Sequence, residues 1–209
     1  MKVQDWGEID YDMATGRQLE VLQKVFDGAE DQLIFCSHPP VVTLGRATEE
    51  GDLQGWQGSV VKSSRGGKAT YHGPGQLVIY PIVHLGRPHR HLALRDVQGY
   101  LRLLEKVLIQ TLAMHYDLKA ESQPHPTGVW VGEKKVASIG VAVKRWITYH
   151  GVALNLGPDP LAFQGIKPCG FTPETMASLE ELLALPLKRE RLKEQLAQRF
   201  FELFAPAEI

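Results

Sequence analysis

The chain has 209 residues, 44% hydrophobic and 22% charged, ordinary values for one sizeable globular domain or two small ones. Its formal net charge of −1 leaves no broad basic field for nucleic acid or an anionic membrane, although a local basic patch facing an acidic protein partner stays open. No apolar run approaches the roughly 20 residues that span a bilayer. The N-terminus, Met1-Lys2-Val3-Gln4-Asp5-Trp6, lacks a signal-peptide core, and Cys36 and Cys169 lie far apart, so a cytoplasmic protein with reduced thiols is expected.

In chain order, residues 13–26 carry Leu19, Leu22, Val25 and Phe26 at helical spacing, with Gly28 as a stop. Residues 32–36 read as a short buried strand ended by Ser37-His38-Pro39-Pro40, and 41–44 resume a strand. A loop is expected over 45–56. Residues 77–85 read as a strand whose Pro81 predicts an edge or a bulge. The longest helical pattern runs over 96–116, with Val97, Leu101, Leu104, Leu108, Leu112 and His115 on one face. Three strands follow, 128–131, 136–143 and 147–156, joined by tight turns at Gly132-Glu133 and Arg145-Trp146. Residues 157–170 are irregular and rich in glycine and proline. Ser178 and Glu181 predict a capping box for a helix to Leu185. After Pro186, Leu192, Leu196, Phe200 and Phe204 mark a last helix. Strand pairs interspersed with helices argue for an α+β fold, a mixed and mostly antiparallel sheet flanked by helices, with residues 1–209 as a single domain.

The densest chemical signal is Arg65-Gly66-Gly67-Lys68-Ala69-Thr70-Tyr71-His72-Gly73-Pro74-Gly75-Gln76, placed between the apolar runs 59–61 and 77–83. Glycines weaken a strand interior but let backbone approach a ligand and point amides at it. A hairpin connection would explain the glycines alone. It does not explain the interleaved arginine, tyrosine, histidine and glutamine.

Cys169 lies in Lys167-Pro168-Cys169-Gly170, where proline and glycine present a thiol on an unusual backbone. Cys36 follows Leu33-Ile34-Phe35 and reads as a small core residue. A nucleophilic thiol needs a nearby cation. Lys134 and Lys135 open a strand, and neighbours in a strand face opposite sides, so only one could turn toward the thiol; the pattern does not choose between them. His72-Gly73 and His150-Gly151 each follow a strand-like segment, so the two histidines could converge on one site; hydrogen-bonded structural histidines are the plainer reading. His89-Arg90-His91 and His125 match no zinc framework, and neither a Walker loop nor a dinucleotide fingerprint occurs.

The glycine-rich segment resembles the signature of the lipoyl(octanoyl) transferases, which move octanoyl from acyl carrier protein to lipoyl domains. The resemblance covers nearly the whole chain. His38-Pro39-Pro40-Val41-Val42-Thr43-Leu44-Gly45-Arg46 is similar to an upstream family segment. Lys135-Val136-Ala137-Ser138-Ile139-Gly140 is similar to the segment of the catalytic lysine, which selects Lys135. Tyr149-His150-Gly151-Val152-Ala153-Leu154-Asn155 is similar to the next motif, and Pro168-Cys169-Gly170 to the segment of the catalytic cysteine. Ser37 and Val42 depart from the family pattern, which places an acidic and an aromatic residue there and puts the pocket rim in question.

The resemblance implies the fold of biotin and lipoate ligases without an extra domain, and Cys169 and Lys135 as catalytic residues. It implies acyl binding by Arg65 through His72, Ser138 through Gly140, and Gly151 through Ala153, with His150 and Gln76 in support. No cofactor or metal is implied. The implied donor is octanoyl-acyl carrier protein. The implied acceptors are lipoyl domains of 2-oxoacid dehydrogenase acyltransferase subunits and the glycine cleavage H protein; neither nucleic acid nor membrane is a partner, and a monomer is expected. Cys169 would form a thioester that a lysine amine then opens, and backbone N–H groups near Gly140 or Cys169 would hold the oxyanion. Each buried methylene of the chain would contribute about 0.8 kcal/mol. Arg46, Arg65, Lys68, Arg87 and Arg90 are the candidates for docking an acidic carrier. The competing readings are an ATP-dependent lipoate or biotin ligase, which needs no cysteine, and a non-catalytic module that binds acylated carriers.

Overall fold

The computed structural model describes residues 1–123 and 127–207. Ten strands and four helices follow one another as β1 (Lys2–Glu8), α1 (Tyr11–Phe26), β2 (Gln32–Ser37), β3 (Val41–Leu44), β4 (Ser59–Lys62), β5 (Ala69–His72), β6 (Gln76–Ile82), α2 (Val97–Tyr116), β7 (Ala120–Ser122), β8 (Gly128–Val131), β9 (Lys134–Lys144), β10 (Ile147–Asn155), α3 (Leu179–Leu183) and α4 (Arg189–Leu203). A seven-stranded sheet has the order β1-β2-β6-β10-β9-β8-β7, and a three-stranded sheet has the order β4-β3-β5. Only β1 with β2 and β3 with β4 run parallel; the other pairs are antiparallel. The α+β reading, mostly antiparallel and flanked by helices, holds.

The large sheet is covered on both faces, so its central strands read as unbroken apolar runs. Strand alternation sorts them. Leu33, Phe35, Leu77, Ile79, Ile139 and Val152 pack with α2 and α4. Ile34, Cys36, Val78 and Tyr80 turn to the other face and pack with α1. Burial pushes the Cys36 thiol far up, as a core cysteine requires. No helix among the described residues is long and apolar enough to cross a membrane.

Several expectations shift. Helix α1 begins two residues early, at Tyr11, because Asp10 caps it by accepting from the Asp12 and Met13 amides. Leu19 and Phe26, expected on its inner face, are exposed, as is His115 on α2. Strands β1 and β7 lie at the sheet edges, where half-exposed residues leave little apolar periodicity. The runs at 59–61 and 77–83 are not hairpin partners, since they belong to different sheets and β5 occupies part of the expected turn. Pro81 sits in central β6, not at an edge: its ladder with β10 extends only from Gln76 to Ile79, so no partner there needs the missing N–H. The Ser178–Glu181 capping box is present, but its helix stops at Leu183. The Arg145-Trp146 turn has φ of 53° and 61° at its two residues, the left-handed pair that matches the twist of a two-residue hairpin.

Candidate functional site

Cys169 occupies a 3-10 turn, Pro168–Gly170, in the irregular stretch after β10, with φ 56° and ψ 23°. A left-handed backbone is unfavourable for a residue with a Cβ. The loop is held in place by its neighbours: the Lys167 amide donates to Asp52 O and the Gln54 amide to Gly165 O. The sulfur of the half-buried Cys169 lies 3.4 Å from Thr70 Oγ1 and 3.5 Å from Ser138 Oγ. Burial alone would push the thiol up. The Lys135 charge, the two hydroxyls and the Arg65 charge outweigh it and leave the thiol below its ordinary value.

Of the two lysines, Lys135 is the one turned to the cavity. Lys135 stands opposite Trp130 beside an irregularity in the β8–β9 register and is wholly buried. Lys134 is exposed and donates to Glu174 O. Lys135 and Cys169 line one cavity of about 460 Å³, within the size range of small-molecule sites.

The glycine-rich segment folds over that cavity because of Arg65. Its guanidinium donates to Thr43 O and Oγ1 and to the carbonyls of Gly66 and Lys68, at 2.7 to 3.1 Å. All these acceptors are neutral, so its charge is solvated by protein without being cancelled. Beneath it is Gly140 of β9; a Cβ there would come within 2.9 Å of Gly66 O and 3.2 Å of Arg65 Cδ. The bare backbone lets the loop lie on the sheet, and the Gly66 amide donates to Val141 O.

Away from the sulfur, the lining becomes aromatic and polar. Tyr11 stacks on His72 at 5.6 Å and on His150 at 6.3 Å, and Tyr80 closes in at 6.5 Å from His150. The two histidines do converge. Burial lowers His150 to about 4, helped by Arg65, and holds His72 well below its ordinary value, with His38 and Arg65 adding to it. Both are therefore neutral near pH 7. His150 has φ 58°, and its amide donates to Gln18 Oε1 of α1 at 2.7 Å.

Of the expected acyl-binding residues, Arg65, Gly66, Gly67, Lys68, Thr70, His72, Ser138, Ile139, Gly140, Gly151, Val152 and Ala153 line the cavity, as does His150. Ala69 and Tyr71 do not. Alternation along β5 sends them the other way, and Tyr71 packs with Val42, Phe163 and Ile166. That places the departure at Val42 in a separate core cluster and not at the cavity rim. Gln76 stands one layer behind, taking His72 Nδ1 at 3.2 Å and donating to Tyr71 O and Asn155 Oδ1.

The expected docking patch is corrected in part. Arg65 is buried, and Arg87 is committed to Val25 O and Ala29 O. Arg46 and Lys68 do line the cavity, Lys68 paired with Glu49 at 2.6 Å. His125 lies outside the described residues. Tyr11, Thr43, Val78 and Tyr80 escaped the sequence reading because their contacts arise only in the folded chain. Trp130 lies beside Lys135.

A sheet of this topology carrying a thiol, a lysine and a glycine-rich loop defines a class. The family of lipoyl protein ligase A/B catalytic domains matches residues 10–201. A crystal structure of lipoate-protein ligase A bound with ATP superposes with a TM-score of 0.79, covering 100% of this chain and 88% of that one at 16% identity. Biotin protein ligase from Aquifex aeolicus gives 0.59, covering 97% and 68% at 11% identity. These two similarities speak for the fold. An octanoyltransferase from Bdellovibrio bacteriovorus is 42% identical over 96% of this chain and 97% of its own length. The chain belongs to the octanoyltransferase family within that class, and it is an acyltransferase of protein lipoylation.

Proposed function

We propose that this protein takes octanoyl from an acyl carrier protein onto Cys169 and passes it to a lysine of a lipoyl domain, whether in a 2-oxoacid dehydrogenase acyltransferase subunit or in the glycine cleavage H protein. One observation carries the reading: the Cys169 thiol is drawn below its ordinary value by the Lys135 charge, two hydroxyls and an uncancelled guanidinium, at the wall of a cavity able to take an acyl chain.

In the first step the thiolate attacks the donor carbonyl. The carbon–sulfur bond to the carrier breaks, and the carrier sulfur leaves with a proton from Lys135. One thioester replaces another, so the exchange is close to energy-neutral and needs no ATP. In the second step the acceptor amine attacks, Cys169 leaves as thiolate, and the amine's proton returns to Lys135. The amide formed is more stable than the thioester, which drives transfer forward. A thiol suits both steps, since it attacks as an anion near neutral pH and leaves readily. Arg46 and Lys68, at the cavity wall, are the basic side chains placed to meet an acidic carrier.

The test is intact mass after mixing with the octanoyl thioester of a carrier protein, without acceptor. One octanoyl group should appear, located on Cys169, and disappear when a lipoyl domain is added. Turnover that proceeds without this adduct, or that survives Cys169→Ala and depends on ATP, would assign a ligase mechanism instead.

A further inference from the structure

Among the described residues no carboxylate forms an ion pair with Lys135. The side chain is wholly buried, and Nζ has no hydrogen-bond partner among the described residues. Such a burial is costly unless something else offsets it. The nearby buried carboxylate, Glu105, is already engaged: one oxygen accepts from the Gly128 amide at 3.1 Å and the other from Arg102 at 2.7 Å. Arg65 adds a second positive charge at the thiol.

What surrounds the ammonium is aromatic. Nζ lies 5.6 Å from the ring centroid of Trp130 and 5.7 Å from that of Phe171. The two rings meet edge to face at 5.2 Å. Both distances fall within the range of cation–π attraction, about 6 Å, and the attraction strengthens where water is excluded. Trp130 stands opposite Lys135 in the β8–β9 ladder. Phe171 is two residues beyond Cys169, on the same loop.

We propose that Trp130 and Phe171 are positioning residues for acyl transfer, forming an aromatic cradle that holds the Lys135 ammonium beside the Cys169 sulfur. A carboxylate in their place would hold the lysine equally well but would cancel the charge that the thiolate needs. The ring faces attract the cation and leave its charge available. Because Phe171 and Cys169 share one loop, seating the sulfur also closes the cradle. The inference rests on the reading of Cys169 and Lys135 as the reacting pair.

The chemistry of Trp130 distinguishes a cradle from simple packing. Its indole Nε1 has no partner among the described residues, so the ring and not the N–H carries the role. Phenylalanine should then substitute for it, and leucine should not.

The experiment is the pH profile of Cys169 alkylation by iodoacetamide in the full-length protein, with kcat and KM measured alongside for an octanoyl thioester donor. Trp130→Leu should raise the alkylation midpoint by about one pH unit and lower kcat about tenfold while KM stays near the wild-type value. Trp130→Phe should restore both to within about twofold. Phe171→Leu, at a partly exposed site, should move the midpoint the same way and serves if Trp130→Leu does not fold. A wild-type midpoint in the leucine variants, or a phenylalanine variant as impaired as leucine, would overturn the cradle alone. If Lys135→Met also leaves the midpoint unmoved, the reacting pair fails, and the cradle with it.

Discussion

Ser138 Oγ lies 3.5 Å from Cys169 Sγ, joining strand β9 to the loop after β10. Thr70 approaches the same sulfur from β5 of the small sheet. The thiol thus sits where two sheets and a loop meet, with Ser138 and Lys135 of β9 and Thr70 of β5 all favouring the thiolate. Ser138→Ala should remove one such group. Hydrogen bonds to charged groups contribute roughly 1.5–3 kcal/mol, so the rate of enzyme acylation at pH 7 should fall about ten- to a hundredfold. Stopped-flow acylation rates check this; a wild-type rate would mean that the hydroxyl does not act on the thiolate.

The direction of pH dependence follows from Cys169. Its lowered value means that the thiolate, and with it the acylation rate, persists below the ordinary thiol range, about pH 8.5, and is lost as pH falls through the lowered value. Lys135→Met should shift that fall to higher pH and cut transfer about a thousandfold at pH 7, since both the charge and the proton shuttle are gone. A pH–rate profile of the variant superimposing on the wild type is the contrary result.

Arg65→Lys keeps the charge and loses the geometry. One ammonium cannot serve Thr43 O, Thr43 Oγ1, Gly66 O and Lys68 O together. Destabilisation of about 2–4 kcal/mol is expected from the unsatisfied buried carbonyls, read by urea denaturation.

Gly140→Ala places a methyl 2.9 Å from Gly66 O, a backbone atom with little freedom to retreat. The loop should lift from β9, raising KM for octanoyl donors about tenfold while the far-UV spectrum stays native. An unchanged KM would show that the loop tolerates the methyl.

The buried histidines predict acid lability. His150 drops from 6.5 to about 4 on folding, so the unfolded chain binds more protons between those values. Its contribution to stability is full above pH 6.5 and is lost as pH falls toward 4. Thermal midpoints measured from pH 7 to 4 should decline, and His150→Gln should flatten that limb.

Part of the site was legible because some of its residues are poor choices for ordinary strands or helices, whereas Lys135 was selected by the family resemblance alone. Arg65-Gly66-Gly67, Pro168-Cys169-Gly170 and the two His-Gly pairs stand out against apolar periodicity. The capping box at Ser178 and the two tight hairpins were equally visible, since each depends on neighbours a few residues apart. Strand β1 was not, because an exposed edge strand carries almost no hydrophobic pattern. Pro81 misled because its permission to sit in a central strand comes from His150, 69 positions later, where the ladder has already ended. Ala69 and Tyr71 lay within a motif whose strand character was hidden by the glycines around it.

By itself the sequence determined which chemistry is available: one presented thiol, one of two lysines, a glycine-rich segment, and a mostly antiparallel sheet flanked by helices. Those are matters of side-chain type and local spacing. The folded structure alone decided that Lys135 is the buried lysine, that Arg65 supports the glycine-rich segment and is not a docking charge, and that Trp130 and Phe171 surround the ammonium. Each of these depends on strand alternation and on contacts between distant segments, and a charge's behaviour is set by what excludes water from it, which only the packed chain supplies.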